Sequence, residues 1–469
     1  MRSNRHAERS RPSSRRWGRV ALVGALVASL VPAATSISPG AVVAAPASCS
    51  GLGAGGEYHP LTPQRIFDSR PSSAVNDPAP GPKAANGGQP TFDIDVLGRG
   101  GIPNRPSDVL AVAVNITVTE PTAAGWLNAY GKGANGGLAS IVNFTAGQTV
   151  PNLAITRPGA DGDLTIRLFS TSASGTAHVV VDVFGWFSTS CNAQNGARLV
   201  PIDPGRILDT RDGGGPLASG GSRTVPIRGA QLATGTVLPS GSDVQAVVLN
   251  VTGINQDAAS RDTFLSVVPD LAPGTAPSTS NVNLARGQIK PNMVIVPIGA
   301  DGAVRLYNHA GALHVAVDVV GYLTTSAPNG STTAGRVVPL ATPYRVFDTR
   351  QVQWQAVALG PGQAEDWSFA DFVISVTVDG QWLGAQSAVI GNLTSASLTR
   401  QFDATPVSSY LTVHPTNQPR PLVSNLNTTE GAPVPNLAMM KYGPNSTVRV
   451  FNLSGFSHYL FDASAVVLS

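Results

Sequence analysis

Apolar and polar residues alternate along most of this chain in short runs punctuated by glycine, proline and Asp-Gly turns, the period of β-strands rather than helices. The same blocks return three times. Ala111-Val-Ala-Val-Asn115-Ile-Thr117 is matched by Ala246 to Thr252 and Ala388 to Thr394. A short strand with an aromatic start follows in each copy: Trp126-Leu-Asn-Ala-Tyr130, Phe264 to Val268, and Tyr410-Leu-Thr-Val-His414. Then come Ser140 to Asn143, Ser280 to Asn283 and Ser424 to Asn427, leading to Pro151-Asn152, Pro291-Asn292 and Pro435-Asn436. Asp161-Gly162 and Asp301-Gly302 supply two-residue hairpin turns, replaced by Asn445-Ser446 in the third copy. Closing strands run from His178, His314 and His458, each with an aspartate four positions on: Asp182, Asp318 and Asp462. Because a strand alternates faces, each histidine shares a side with its aspartate while the flanking valines of the first two copies fill the other.

Each set opens on an arginine motif: Arg65-Ile-Phe-Asp68-Ser-Arg70, Arg206-Ile-Leu-Asp209-Thr-Arg211 and Arg345-Val-Phe-Asp348-Thr-Arg350. The opening arginines lie 141 and then 139 residues apart, a domain-sized period. Amphipathic helices of useful length are absent, and strands at this spacing belong to a sandwich or barrel. The expected fold is all-β: three tandem β-sandwich-like modules of about 140 residues, over 48–190, 191–334 and 335–469, either strung as beads or closed into one pseudo-threefold body. The third is diverged, with Trp354 to Trp382 inserted in a different composition.

Residues 1–47 read as a signal peptide and leader, with seven arginines and one glutamate before an apolar run from Val20 to Val31. That run is short of the roughly 20 residues a spanning helix needs, and nothing later is long and apolar enough to span. Ser14-Arg15-Arg16 offers a twin-arginine export signal, but Gly18 and Arg19 follow where apolar residues are usual, so the ordinary secretion route is expected. Without the leader the 31 basic and 28 acidic residues become 24 and 27, so support for a nucleic-acid partner disappears. Four lysines stand against 27 arginines, a bias typical of a GC-rich bacterial genome.

The two cysteines, Cys49 and Cys191, bracket the first module, and export to an oxidising space allows a disulfide between them. Closing so long a loop contributes on the order of 4–5 kcal/mol in the chain-entropy model. The secreted protein is expected to show no free thiol until denatured and reduced. Reaction of both thiols in denatured, non-reduced protein would end the idea.

Taken together, the Arg-x-x-Asp-[Ser/Thr]-Arg opening, the Asn-[Ile/Val/Leu]-Thr of the middle strand and the Asp-Val-x-Gly-[Trp/Tyr] close resemble the repeat of secreted actinobacterial proteins, found alone or attached to secreted hydrolases. The likeness covers about residues 57–469, and the third copy lacks the Gly-aromatic close. It implies secretion and an accessory or surface role, with no assigned chemistry.

Catalysis finds little support in the residues. A histidine with an aspartate invites comparison with a triad, but no Gly-x-Ser-x-Gly elbow exists, and the spacing recurs in all three copies as part of the strand pattern. Zinc needs three or four converging ligands, and the six histidines after the leader are spread thinly. Carboxylate pairs for glycoside hydrolysis are hard to nominate, since only Glu57, Glu120, Glu365 and Glu430 remain, although aspartates could serve. Calcium at Asp161-Gly162-Asp163 is a weaker idea than a hairpin turn. No enzyme, metal or cofactor is expected.

The arginine motifs are expected to tie each module's first segment to a neighbouring strand, pairing Arg65, Arg70, Arg206, Arg211, Arg345 and Arg350 with Asp68, Asp182, Asp209, Asp318, Asp348 and Asp462. Gripping an anionic ligand is the other reading. Binding is better sought on the aromatic-start strands, where Trp126, Asn128 and Tyr130 share one face, as do Tyr410, Thr412 and His414. Rings beside amides and hydroxyls suit a sugar, and core packing is the plainer role for any single ring. Asn115-Ile-Thr and its copies match a eukaryotic glycosylation signal but in a bacterial chain mark a strand position. The expectation is a secreted, extracellular or cell-wall-associated, non-catalytic protein that binds carbohydrate or cell-envelope glycan. The rivals are a structural or adhesive surface protein acting through other surface proteins and, less so, a secreted hydrolase.

Overall fold

The computed structural model describes residues 55–469, apart from 74, 86–88, 138, 190–195, 273, 352, 354–356, 376, 379–380, 383, 400–406 and 432. The leader and the Cys49–Cys191 pairing lie outside the described residues. The architecture is all-β. Repeat 1 runs β1 (Tyr58–Asp68), β2 (Lys83–Ala84), β3 (Thr91–Asp95), β4 (Val109–Thr119), β5 (Gly125–Gly131), β6 (Val142–Phe144), β7 (Val150–Thr156), β8 (Asp163–Ser170) and β9 (Thr176–Ser188). Repeat 2 runs β10 (Arg198–Asp209), β11 (Ser222–Pro226), β12 (Val244–Ile254), β13 (Thr263–Val268), β14 (Val282–Leu284), β15 (Ile289–Pro297), β16 (Ala303–Asn308) and β17 (His314–Thr324). Repeat 3 runs β18 (Val337–Asp348), β19 (Ala364–Ser368), β20 (Thr377–Val378), β21 (Gln381–Trp382), β22 (Gln386–Thr399), β23 (Ser408–Pro415), β24 (Leu426–Thr429), β25 (Val434–Lys441), β26 (Thr447–Asn452) and β27 (Phe456–Leu468). Within the inserted stretch the described residues form β19, a short α-helix, Ala370–Ser375, and the β20–β21 ribbon.

All described pairings are antiparallel. In repeat 2 the strand orders are β10-β17-β12-β15 and β11-β16-β13-β14, so the chain crosses repeatedly from one sheet to the other. Repeats 1 and 3 copy both orders, with β2 added against β9 in repeat 1. Alternation explains the packing: Val247, Leu249 and Val251 of β12 share one buried cluster with Leu265, Val267, Val304 and Leu306 of the other sheet.

The opposite face of the first sheet overturns the expectation of three tandem β-sandwich-like modules. Besides the β20–β21 ribbon the described residues form six small, blade-like antiparallel sheets, and all of them fall in one compact unit. The physical reason is that the sheets bearing the arginine motifs are apolar on both faces. Ala111, Ala113, Leu153 and Ile155 of repeat 1 pack with Ala246, Val248, Met293 and Ile295 of repeat 2 and with Ala388, Ile390, Leu437 and Met439 of repeat 3 in a shared cluster. Phe184, on β9 of repeat 1, belongs to the core of repeat 2.

A closed cycle of buried asparagines crosses this junction. The side-chain amides of Asn292, Asn436 and Asn152 donate to Asn115, Asn250 and Asn392 of another repeat, each at 2.9 Å. In return their oxygens accept from the backbone N–H of Leu153 (3.3 Å from Asn292), Met293 (3.1 Å from Asn436) and Leu437 (3.0 Å from Asn152). Those N–H groups sit on β7, β15 and β25, the last strands of their sheets, where an edge otherwise leaves a row of donors unpaired. Asn115, Asn250 and Asn392 complete the cycle by donating to the carbonyls of Ser280, Ser424 and Ser140 in the next repeat.

Candidate functional site

The arginine motifs and closing aspartates meet at matched positions. Arg65, Arg206 and Arg345 stand opposite Asp182, Asp318 and Asp462 in the strand register. Arg65 Nε donates to Asp182 at 2.9 Å and Arg206 Nε to Asp318 at 2.5 Å, and Arg345 makes the same bond to Asp462. Each arginine also reaches the motif's own aspartate, Asp68 at 3.2 Å, Asp209 at 2.5 Å and Asp348 at 2.8 Å. The second arginine, Arg70, Arg211 or Arg350, grips that same carboxylate through Nε and Nη2. Burial pushes the carboxyls of Asp182 and Asp462 above the usual range, and that of Asp318 to about 6, with the arginines pulling the other way. For Asp68, Asp209 and Asp348 burial also pushes upward, yet hydrogen bonds from the second arginine win and hold them low.

Histidines and aspartates of the closing strands do not form a triad. Nδ1 of His178, His314 and His458 lies 3.1, 2.9 and 3.3 Å from the hydroxyls of Ser69, Thr210 and Thr349, the residues between aspartate and second arginine in the motif. Those hydroxyls accept from the backbone N–H of Val179, Val315 and Tyr459, each at 2.9 Å, so they lock β1, β10 and β18 to the closing strands. Near the hairpin, Lys132 stands 2.9, 2.7 and 3.4 Å from Asp161, Asp163 and Asp93, so an ammonium occupies the place considered for calcium.

The aromatic-start strands divide into half-buried rings and buried anchors. Asn128, Thr412 and His414 do not face solvent. Asn128 donates to Gly136 O at 2.5 Å and accepts from Ala129 N, while Thr412 donates to Val423 O at 2.6 Å. Nδ1 of His414 lies 3.0 Å from Pro415 O, and burial pushes its imidazole below the ordinary value. Trp126, Tyr130 and Tyr410 stay half-buried. Trp126 stacks on Phe169 at 5.5 Å with 19° between the planes, and the Arg167 guanidinium lies 5.2 Å from Trp126 and 5.6 Å from Tyr130. Phe264 stands beside Tyr307 (6.3 Å) and stacks on exposed His309 (4.5 Å), while Tyr410 tilts against Phe451 (6.2 Å), over which Arg420 lies at 3.8 Å.

Sequence reasoning missed the second ring of each step. The signal was present: Arg167-Leu-Phe169, Arg305-Leu-Tyr307 and Arg449-Val-Phe451 recur at the same place in the three copies. It also missed Lys290, among the described residues the only charged one lining a pocket of about 220 Å³ built from all three repeats. Lys290 precedes Pro291 where the other copies carry Val150 and Val434.

No protein-family model matches the chain, and no curated protein matches it. Among solved structures it is similar to the N-terminal CBM22-1-CBM22-2 tandem domain of Paenibacillus barcinonensis Xyn10C, at 12% identity over 60% of this chain and 100% of that one, with a TM-score of 0.16. It is also similar to a chain of Sulfolobus Turreted Icosahedral Virus, at 9% identity over 88% and 92%, TM-score 0.16. A third, from the triple jelly roll fold and turret assembly of an archaeal virus, stands at 8% identity over 87% and 96%, TM-score 0.16. At these scores the likenesses carry no argument about what the chain does.

Proposed function

We propose that this is a secreted, non-catalytic protein of the cell surface that binds envelope or environmental glycan through three ring steps. The observation that carries the reading is their recurrence: Trp126 with Phe169, Phe264 with Tyr307 and Tyr410 with Phe451 stand at matched places on three outer sheets. Aromatic residues make up only 6% of the chain, and core clusters could have absorbed all of them. A half-exposed ring offers a flat apolar face to the C–H side of a sugar, and at the first and third steps the Arg167 and Arg420 guanidiniums offer donors to its hydroxyls. Each contact is weak, about 1 kcal/mol by the usual worth of a ring pair. Three on one rigid body add through effective concentration when the ligand is a polymer. The carboxylates of the arginine motifs are committed to guanidiniums and the imidazoles of the closing strands to the motifs' hydroxyls, which supports a binding role over a hydrolytic one.

Retention on insoluble peptidoglycan and on insoluble polysaccharides tests this. The full chain is expected to be retained, a single Trp126→Ala variant several-fold less, and the Trp126→Ala/Phe264→Ala/Tyr410→Ala variant at least tenfold less. Undiminished retention of the triple variant, or self-association without any sugar, would overturn the reading in favour of a structural or adhesive protein.

A further inference from the structure

The pocket of about 220 Å³ where the three repeats meet is lined by donors. Asn143 and Asn427 each have their amide oxygen taken by a serine hydroxyl, from Ser140 and Ser424. The amide oxygens of Gln148 and Gln288 are taken by the backbone N–H of Thr145 and Ala285. Among the described residues their amide N–H groups have no hydrogen-bond partner and no carboxylate lines the pocket. Lys290 adds the only charge there among the described residues. The other three lysines each pair with carboxylates, Lys83 with Asp77, Lys132 with the hairpin aspartates and Lys441 with Asp203. Lys290 has neither an ion pair nor a hydrogen bond among the described residues, and burial pushes its ammonium down to about 8.

A half-buried ammonium is left here without a counter-charge, and the equivalent positions of repeats 1 and 3 carry valine instead. Prolines and valines supply the remaining wall, Pro151, Pro291, Pro435, Val150 and Val434 among them. The volume is below the roughly 300–1,000 Å³ of sites for drug-sized ligands, so it suits one ring and not a chain. We infer that this pocket binds a single carboxylated sugar ring, its carboxylate on Lys290 and its hydroxyls accepting from the amides of Gln148, Gln288, Asn143 and Asn427. One anion supplies the missing counter-charge, and its ring oxygens accept from the four amide groups whose own oxygens are already taken. This site is separate from the outer ring steps and stands or falls without them.

Calorimetric titration of the full chain with D-glucuronate, D-glucose and inorganic phosphate tests it. Glucuronate is expected to bind at one site per chain at pH 7, at least tenfold more tightly than glucose or phosphate. Lys290→Val, which copies the residue of the other repeats, is expected to weaken glucuronate at least tenfold with the unfolding temperature kept. Affinity should fall as pH rises above about 8, because only the protonated lysine attracts the anion. The Trp126→Ala/Phe264→Ala/Tyr410→Ala variant should bind glucuronate unchanged, which separates this site from the polymer reading. Absence of glucuronate binding, equal binding by Lys290→Val, or phosphate binding as tightly as glucuronate would each overturn the inference.

Discussion

Replacing Asn292 by leucine is expected to destabilise the whole body by about 4 kcal/mol, since buried groups stripped of partners cost about 1–3 kcal/mol each. Asn292 makes three buried bonds, to Asn115, to the carbonyl of Asn281 and from the N–H of Leu153. Leucine has similar bulk but satisfies none of them, so an edge donor of repeat 1 and an acceptor of repeat 2 are left dry together. Asn283→Leu in the same repeat is the control. Its side-chain oxygen takes one bond, from Ser280 at 3.0 Å, and its loss should cost about 1 kcal/mol. Denaturant unfolding measures both. Equal effects from the two substitutions would mean that the asparagine cycle does not hold the repeats together.

Arg206→Ala is expected to cost about 3–5 kcal/mol at pH 7.5, the usual loss when one member of a buried pair is removed. Asp318 is fully buried and Arg206 is its guanidinium partner, whereas Asp209 keeps Arg211. The pH dependence follows from the direction of the shift. Burial raises the Asp318 carboxyl to about 6, above the roughly 3.9 of an unfolded chain, so the folded state takes up the proton more readily. The stability this group contributes is therefore fully present below about pH 4 and is lost as pH rises through about 6. Without Arg206 the downward pull is gone and the folded carboxyl titrates higher still. The variant then bears the larger penalty at pH 7.5, and the gap to the parent should narrow at pH 5, where Asp318 is largely protonated in both. A gap that is constant, or wider in acid, would contradict the assignment of Arg206 as the group that holds this carboxylate charged.

Much of this molecule is legible in its residues because the local signals are strong. Alternation in Ala111 to Thr117 and in His314 to Tyr322 marks β-strands, Asp161-Gly162 and Asp301-Gly302 mark turns, and scarce charges that recur at fixed spacing mark pairs. What escapes is whatever depends on the second face of a strand. Ala111 and Ala113 are small and apolar, consistent with a sandwich's outer face or with a buried junction, and only the third dimension shows them packed against repeats 2 and 3. The asparagines of the Asn-Ile-Thr and Pro-Asn blocks are readable as strand positions, but their partners in other repeats lie 139 residues away or more, beyond any local pattern. Alternation misplaced Asn128, Thr412 and His414 for a related reason. They share a face with half-buried rings, yet the backbone of the next segment folds over Asn128 and Thr412, and His414 is buried against its own neighbour's carbonyl. Lys290 escaped because a lone lysine in an alternating strand looks like a solvated residue until its surroundings are known.

The claim on which the rest depends is that three repeats form one body rather than three. Differential scanning calorimetry of the full chain tests it most directly, because a body closed by a shared core and a cycle of cross-repeat hydrogen bonds unfolds as one cooperative unit. The expected result is a single transition whose calorimetric and van't Hoff enthalpies agree, and which Asn292→Leu shifts as a whole. Three resolved transitions, with Asn292→Leu moving only one of them, would contradict it.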